Sequence, residues 1–317
     1  MLQNLGGILS TIYNILWKAG SNMDARRTDL ALEAAALWRA AAKKSEIEGL
    51  SLSERRRAGC AVTTVRVESR AAERAVGKPA GTYVTLDLRG LYERQRQLTK
   101  AAALLGDELR ALLPPETKRA MAVCLGNRAM TPDAIGPKSA DHILVTRHLK
   151  GDALFEALSE VSVLTPGVLG RTGVEAAELV RGAVGRVRPD VVIAVDALCA
   201  QRLGRVCTTV QLSTAGIVPG SGVGNSRSAL TRETLGVPVV AVGVPTVVDA
   251  ATLAADVLEE AGAAELDPEA LRGHAGVTVT TRDIDAQVEE LSRLIGFGVN
   301  LALQPSLSLS DVRALLE

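Results

Sequence analysis

Through the middle of the chain, apolar residues fall in short runs bounded by turn signals, with helical spacing between the runs. The runs at 121–126, 161–164, 190–195, 207–212 and 238–243 have strand length and little polar alternation, which predicts strands buried on both faces of a sheet. Between them the spacing predicts helices over 137–149 and 173–187, the second opened by a capping box at Thr172-Gly-Val-Glu175. Thr246-Val-Val-Asp249 opens another helix, to about Glu260, and 284–303 carries a further helical pattern. Upstream, a helix is predicted from about Asp29 to Lys44 with Thr28 or Asp29 as its cap. Val62–Val67 and Thr82–Leu88 read as β-branched strands, forming a hairpin or an inserted β-subdomain. A long helix follows over about Glu93–Leu113, stopped by Pro114-Pro115. Strands alternating with helices predict an α/β fold, a mostly parallel sheet sandwiched by helices. The expected organisation is an extension over 1–27 and one α/β domain over 28–317, with a β-rich insertion at about 55–92.

The extension carries Leu2, Leu5, Ile8, Leu9, Ile12, Ile15 and Leu16 at helical spacing, and no charge before Lys18. It lacks the basic start and small-residue cleavage site of a secretory peptide, and Gly6-Gly7 interrupt a stretch too short for a membrane span. The pattern predicts an amphipathic helix that docks on the protein itself, on a partner, or weakly on a membrane. No later stretch reads as transmembrane.

Charge removes one class of function. Lys+Arg and Asp+Glu are equal at 36, and aromatics are 2% of the chain. Neither the cations to neutralise phosphates nor the rings to stack on bases are present in the measure that direct nucleic-acid binding needs. Arg55-Arg56-Arg57 is read as a solvated face. Cys60, Cys124, Cys199 and Cys207 form no Cys-x-x-Cys pair and are expected to be buried thiols of a reducing compartment.

The candidate chemistry lies in two aspartates. Asp133 follows the run Ala122–Leu125 in Thr131-Pro132-Asp133-Ala-Ile-Gly136-Pro137, and Asp196 follows Val191–Val195. An aspartate in a turn commonly caps a helix or makes an Asx-turn. In an open α/β sheet, however, ligands bind beyond the carboxyl ends of the strands. Two carboxylates there share a proton for acid–base work or grip a metal. The chain has no His-Glu-x-x-His, Gly-x-Ser-x-Gly, Asp-Thr-Gly or Asp-Ser-Gly, and only His142, His148 and His274. The glycine-rich loop Gly216–Asn225 follows a core strand without a Gly-Lys-Ser/Thr ending, which favours a substrate or active-site loop over a phosphate cradle.

Four segments in order, LGNRAMTPDAIGPKSADHILVTRHL, VLTPGVLGRTGVEAAELVRG, RPDVVIAVDALCA and STAGIVPGSGVGNSRSALTRETLGVPVVAVGVPTVVDA, resemble the spore germination proteases of endospore-forming bacteria. The resemblance runs from about Arg27 to about Asp256. It implies an atypical aspartic endopeptidase, made as a self-processing zymogen, that degrades the small acid-soluble proteins coating spore DNA. It implies a homotetramer in the spore-core cytoplasm, with no cofactor and a hydrogenase-maturation-protease-like fold. Asp133 and Asp196 match the family's essential aspartates in TPDAIGP and VDALCA. Asn127, Thr131, Gly220, Ser221, Gly222, Asn225 and Asp249 are expected to bind substrate or support the site, and Arg27, Thr28 and Asp29 to mark the processing region. The extension is longer and more apolar than the family's propeptide, so that it is either a divergent propeptide or lies upstream of a start at Met23.

Two other readings stay open. Hydrogenase-maturation endopeptidases also pair an early acidic residue with an Asp after the next strand, and bind a metal with a later His. Gln211–Asn225 holds no histidine, leaving His148 as a substitute ligand. The third reading is a non-catalytic binding protein on the same scaffold.

Overall fold

A computed structural model of the chain describes residues 27–42, 47–92, 98–220, 228–262 and 276–316. The amphipathic helix expected at Leu2–Trp17 lies outside the described residues. Among those described, nine strands form one sheet: β1 Leu50–Arg57, β2 Cys60–Val67, β3 Gly81–Asp87, β4 Arg119–Cys124, β5 Glu160–Leu164, β6 Val191–Ala200, β7 Thr209–Ser213, β8 Val239–Asp249 and β9 Thr278–Val279. Their order is β1-β2-β3-β7-β8-β6-β4-β5, with β9 on β8. Pairing is parallel across β8-β6-β4-β5 and antiparallel elsewhere. The α/β class is as expected. Parallel pairing is confined to the half that carries both aspartates, and the β-rich stretch continues the same sheet through β3 and β7.

The longer helices are α1 Ala31–Ala42, α2 Arg70–Val76, α3 Leu98–Arg110, α4 Ala176–Val187, α5 Ala250–Glu260, α6 Ile284–Leu303 and α7 Leu309–Leu316. Strand alternation divides the core. Ala120, Ala122 and Cys124 of β4 join Ile193 and Val195 of β6 under Leu104, Leu105 and Leu109 of α3 and Val288, Leu291, Ile295 and Val299 of α6. Met121 and Val123, on the other face, pack with Val192, Ala194 and Val180 and Val184 of α4. Val65, Val67 and Tyr83 are covered by Ala31, Ala35, Ala72 and Val76 of α1 and α2. No helix among the described residues is long and apolar enough to cross a membrane.

Several elements differ from the pattern-based expectation, each for a visible reason. β1 reads LSLSERRR, and its only apolar residues, Leu50 and Leu52, are too few to reveal it. It forms as the edge partner of β2, closed through Ala58 and Gly59, both at positive φ. The arginine run is exposed as expected, yet Arg55 and Arg57 ion-pair with Glu108 of α3. The helix expected over 137–149 is the short helix Ile135–Ser139 followed by 3-10 turns at 140–142 and 147–149. The Asn300 side chain binds Leu144 N and His142 O, and the Thr146 hydroxyl takes Val161 N and donates to Ser159 O, so distant partners hold this segment open.

The capping box at 172–175 does not form. Thr172 Oγ1 accepts from Val174 N, and Glu175 precedes α4 without a side-chain cap bond. At the start of α1, Thr28 Oγ1 accepts Leu30 N at 3.0 Å, and the first helical amide, Ala31 N, donates to Gln211 Oε1. β8 continues to Asp249 because β6 runs beside it, and Asp249 rather than Thr246 caps α5.

Candidate active site

Asp133 ends a 3-10 turn, Thr131–Asp133, directly before the helix Ile135–Ser139. Two glycines let the chain return this tightly over the end of β4. Gly126 has φ +114°, and a Cβ there would lie 2.0 Å from the Asp133 carbonyl oxygen. At Gly136 a Cβ would lie 2.2 Å from Leu125 O and 2.8 Å from Val195 O. The Asn127 amide donates to Asp133 O at 3.0 Å and to Asp133 Oδ2 at 2.8 Å. Thr246 Oγ1 donates to Pro132 O at 2.6 Å and ties the turn to β8.

Asp196 lies within β6 rather than after it, because β8 continues beside that strand. It is 5% exposed, stands opposite Gly243, and accepts the Ala197 amide at 2.9 Å. Asp133 and Asp196 line one cleft of about 410 Å3, past the carboxyl end of β4 and alongside the later residues of β6 and β8. Its walls include Met130, Val168, Leu198 and Val247, so the two carboxylates sit in a largely apolar surround.

The other expected site residues fall into three groups. Asn127 and Gly220 line the cleft. Thr131 and Asp249 do not line it: Thr131 donates to Asp285 Oδ1 at 2.7 Å, and Asp249, 4% exposed, caps α5 by accepting Thr252 N at 3.0 Å. Ser221, Gly222 and Asn225 lie outside the described residues. His148 is exposed on the turn at 147–149 and does not line the cleft. Among the described residues no three His, Cys, Asp or Glu side chains gather as a metal-ligand group.

The sequence reading passed over Met130, Val168, Ala197, Leu198, Cys199, Thr246 and Thr278, all of which line the cleft. Nothing in the pattern marks them except, for Met130 and Ala197–Cys199, adjacency to the aspartates. Burial, with the negative charge of Asp29 adding to it, pushes the Cys199 thiol up to about 12 and keeps it protonated.

The segment Arg27–Asp29 is hydrogen-bonded to residues at and near this site. Arg27 N donates to Thr252 Oγ1 at 3.0 Å, and the Thr28 hydroxyl donates to Glu33 Oε2 at 2.5 Å. Asp29 N donates to Cys199 O, and Asp29 Oδ2 accepts Cys199 N, both at 2.8 Å. Lys78 Nζ donates to Thr28 O at 2.9 Å.

The family model described as germination protease, peptidase A25, matches residues 26–261. The germination protease of Caldanaerobacter subterraneus subsp. tengcongensis is 42% identical over 92% of this chain and 98% of its own. That of Clostridium tetani is 38% identical over 92% and 99%, and that of Priestia megaterium 40% over 74% and 66%. Among solved structures, the [NiFe] hydrogenase maturation protease HycI of Thermococcus kodakarensis is 18% identical. It covers 62% of this chain and 99% of its own at a TM-score of 0.35, too slight a likeness to carry an argument.

Proposed function

The chain belongs to the germination protease family, a peptidase family of spore germination, and from this premise we propose that it begins the breakdown of small acid-soluble spore proteins with Asp133 and Asp196 as its acid–base pair. The observation that carries the reading is that both aspartates, from separate elements of the parallel half of the sheet, line one cleft.

In this mechanism one carboxylate, ionised, takes a proton from water as the oxygen attacks the scissile carbonyl. The other, protonated, donates to the carbonyl oxygen and then delivers its proton to the leaving amine. This division of labour needs a pair that carries one proton between its two carboxyls. The Asn127 amide and the Thr246–Pro132 bond keep the Asp133 turn in register with β8.

In the same reading residues 1–27 act as a propeptide that restrains the enzyme until the chain cuts itself within a few residues of Thr28. The enzyme assembles as a homotetramer in the spore-core cytoplasm and needs no metal. Incubation with a small acid-soluble spore protein, with and without a chelator, tests the reading. Identical fragments in both reactions are expected; cleavage only without chelator favours metal chemistry, and binding without cleavage favours a non-catalytic role.

A further inference from the structure

β4 covers its edge of β6 only as far as the pair Cys124–Val195, where Leu125 N donates to Val195 O at 2.8 Å. Beyond that point, alternate amides of β6 and, just past its end, that of Gln201 are met by carboxylates. Ala197 N donates to Asp196 Oδ1 at 2.9 Å, Cys199 N to Asp29 Oδ2 at 2.8 Å, and Gln201 N to Glu33 Oε2 at 2.7 Å. Alternate residues of a strand direct their backbone groups to one edge. This is therefore a strand edge continuing past its neighbour and capped one group at a time. The opposite edge of Cys199 faces Val247 of β8.

The cap at Cys199 differs from the other two. Asp196 caps from within its own strand. Glu33 is 5% exposed and also holds Thr28 Oγ1 and Arg202 N, which makes it a fixed anchor. Asp29 instead engages both backbone groups of Cys199, giving its own N–H to the carbonyl and a carboxylate oxygen to the amide. That is what one residue of an added strand does, with the carboxylate standing in for a peptide carbonyl. The chain's own extended segment is thus already seated as a peptide on this edge. Ala197, Leu198 and Cys199 line the cleft together with Asp196, so a peptide lying here passes beside the proposed dyad.

We propose that the β6 edge at Ala197–Cys199 is the docking site for the backbone of an extended substrate peptide, and that Asp29 occupies it until displaced. Strand addition supplies sequence-tolerant affinity through main-chain bonds, while the apolar walls of the cleft read side chains. The inference rests on the assignment of Asp133 and Asp196 for its chemistry but is tested by binding alone.

The test places Asp29→Ala in an Asp133→Asn background and measures binding of a small acid-soluble spore protein, with hydrogen exchange read at Ala197–Cys199. Without ligand, the Cys199 amide exchanges faster once Asp29 is removed. With ligand, the Ala197 and Cys199 amides are protected, and affinity rises about tenfold over Asp133→Asn alone, the scale of losing one charged hydrogen-bonded competitor. Asp29→Asn keeps an oxygen acceptor of the same reach and stays near the parent affinity. Binding without protection at Ala197 and Cys199, or equal affinity with and without Asp29, overturns the edge while leaving the dyad standing. Absence of any binding overturns the substrate assignment and the edge with it.

Discussion

The backbone N–H of Asn127 is shared by two oxygens of Asp133, its carbonyl at 3.0 Å and its carboxylate at 2.8 Å. One donor therefore sets both the closure of the turn and the aim of the side chain. The arrangement depends on Gly126, whose missing Cβ leaves room for that carbonyl. Gly126→Ala should cost at least about 2 kcal/mol, since it combines a left-handed φ with a backbone clash. Denaturant unfolding reads the loss; a variant as stable as the parent would refute the tight-turn account.

The four thiols should be inert in the native protein. Burial pushes Cys124, Cys199 and Cys207 up to about 12 and also raises Cys60. At about pH 8 almost none is then thiolate, the form that reacts. A chromogenic disulfide should titrate four thiols only after unfolding, and alkylation should leave peptide hydrolysis intact. Rapid native modification of Cys199 with loss of activity would point to a cysteine mechanism instead.

The arginines of β1 should matter through the carboxylate they cover. Glu108 has a side chain only 3% exposed, while Arg55 and Arg57 are 45% and 43% exposed. Removing both arginines strands a buried charge and should cost about 3 kcal/mol; Glu108→Gln leaves only exposed cations unpaired and should cost about 1 kcal/mol. Thermal unfolding of the double arginine variant beside Glu108→Gln checks the asymmetry. Equal losses would contradict it.

Acid sensitivity should trace partly to Asp190. Burial raises its carboxyl, but bonds from the Arg119 side chain and from the amides of Arg119 and Lys118 outweigh it, holding the group below 3.8. A depressed folded value stabilises above the ordinary carboxylate range, and the gain is lost as pH falls through the folded value. Asp190→Asn should therefore be less stable than the parent near about pH 6, with the gap closing towards about pH 3. A gap unchanged over that range would remove Asp190 from the acid response.

Much of the parallel half was legible because its strands are apolar on both faces, and α6 was legible because its apolar spacing is unbroken over twenty residues. Asp133 was correctly placed beyond β4, since Thr-Pro-Asp and Gly-Pro are strong turn chemistry. Asp196 was found but set outside its strand, because strand length depends on how far β8 continues beside it. The segment 137–149 was misread because Asn300 and Thr146 act across long sequence separations. The seat of Asp29 at Cys199 was invisible for the same reason: 170 residues separate the partners, and no local pattern encodes a carboxylate capping a distant strand edge.

The central claim is that Asp133 and Asp196 act together on a peptide bond, and single-turnover hydrolysis of a small acid-soluble spore protein by Asp133→Asn and Asp196→Asn tests it most directly. Each variant keeps its shape and loses one titratable carboxylate. Each should melt near the parent and cleave about 100- to 10,000-fold more slowly. A folded variant of either kind that cleaves at nearly the parent rate would contradict the account.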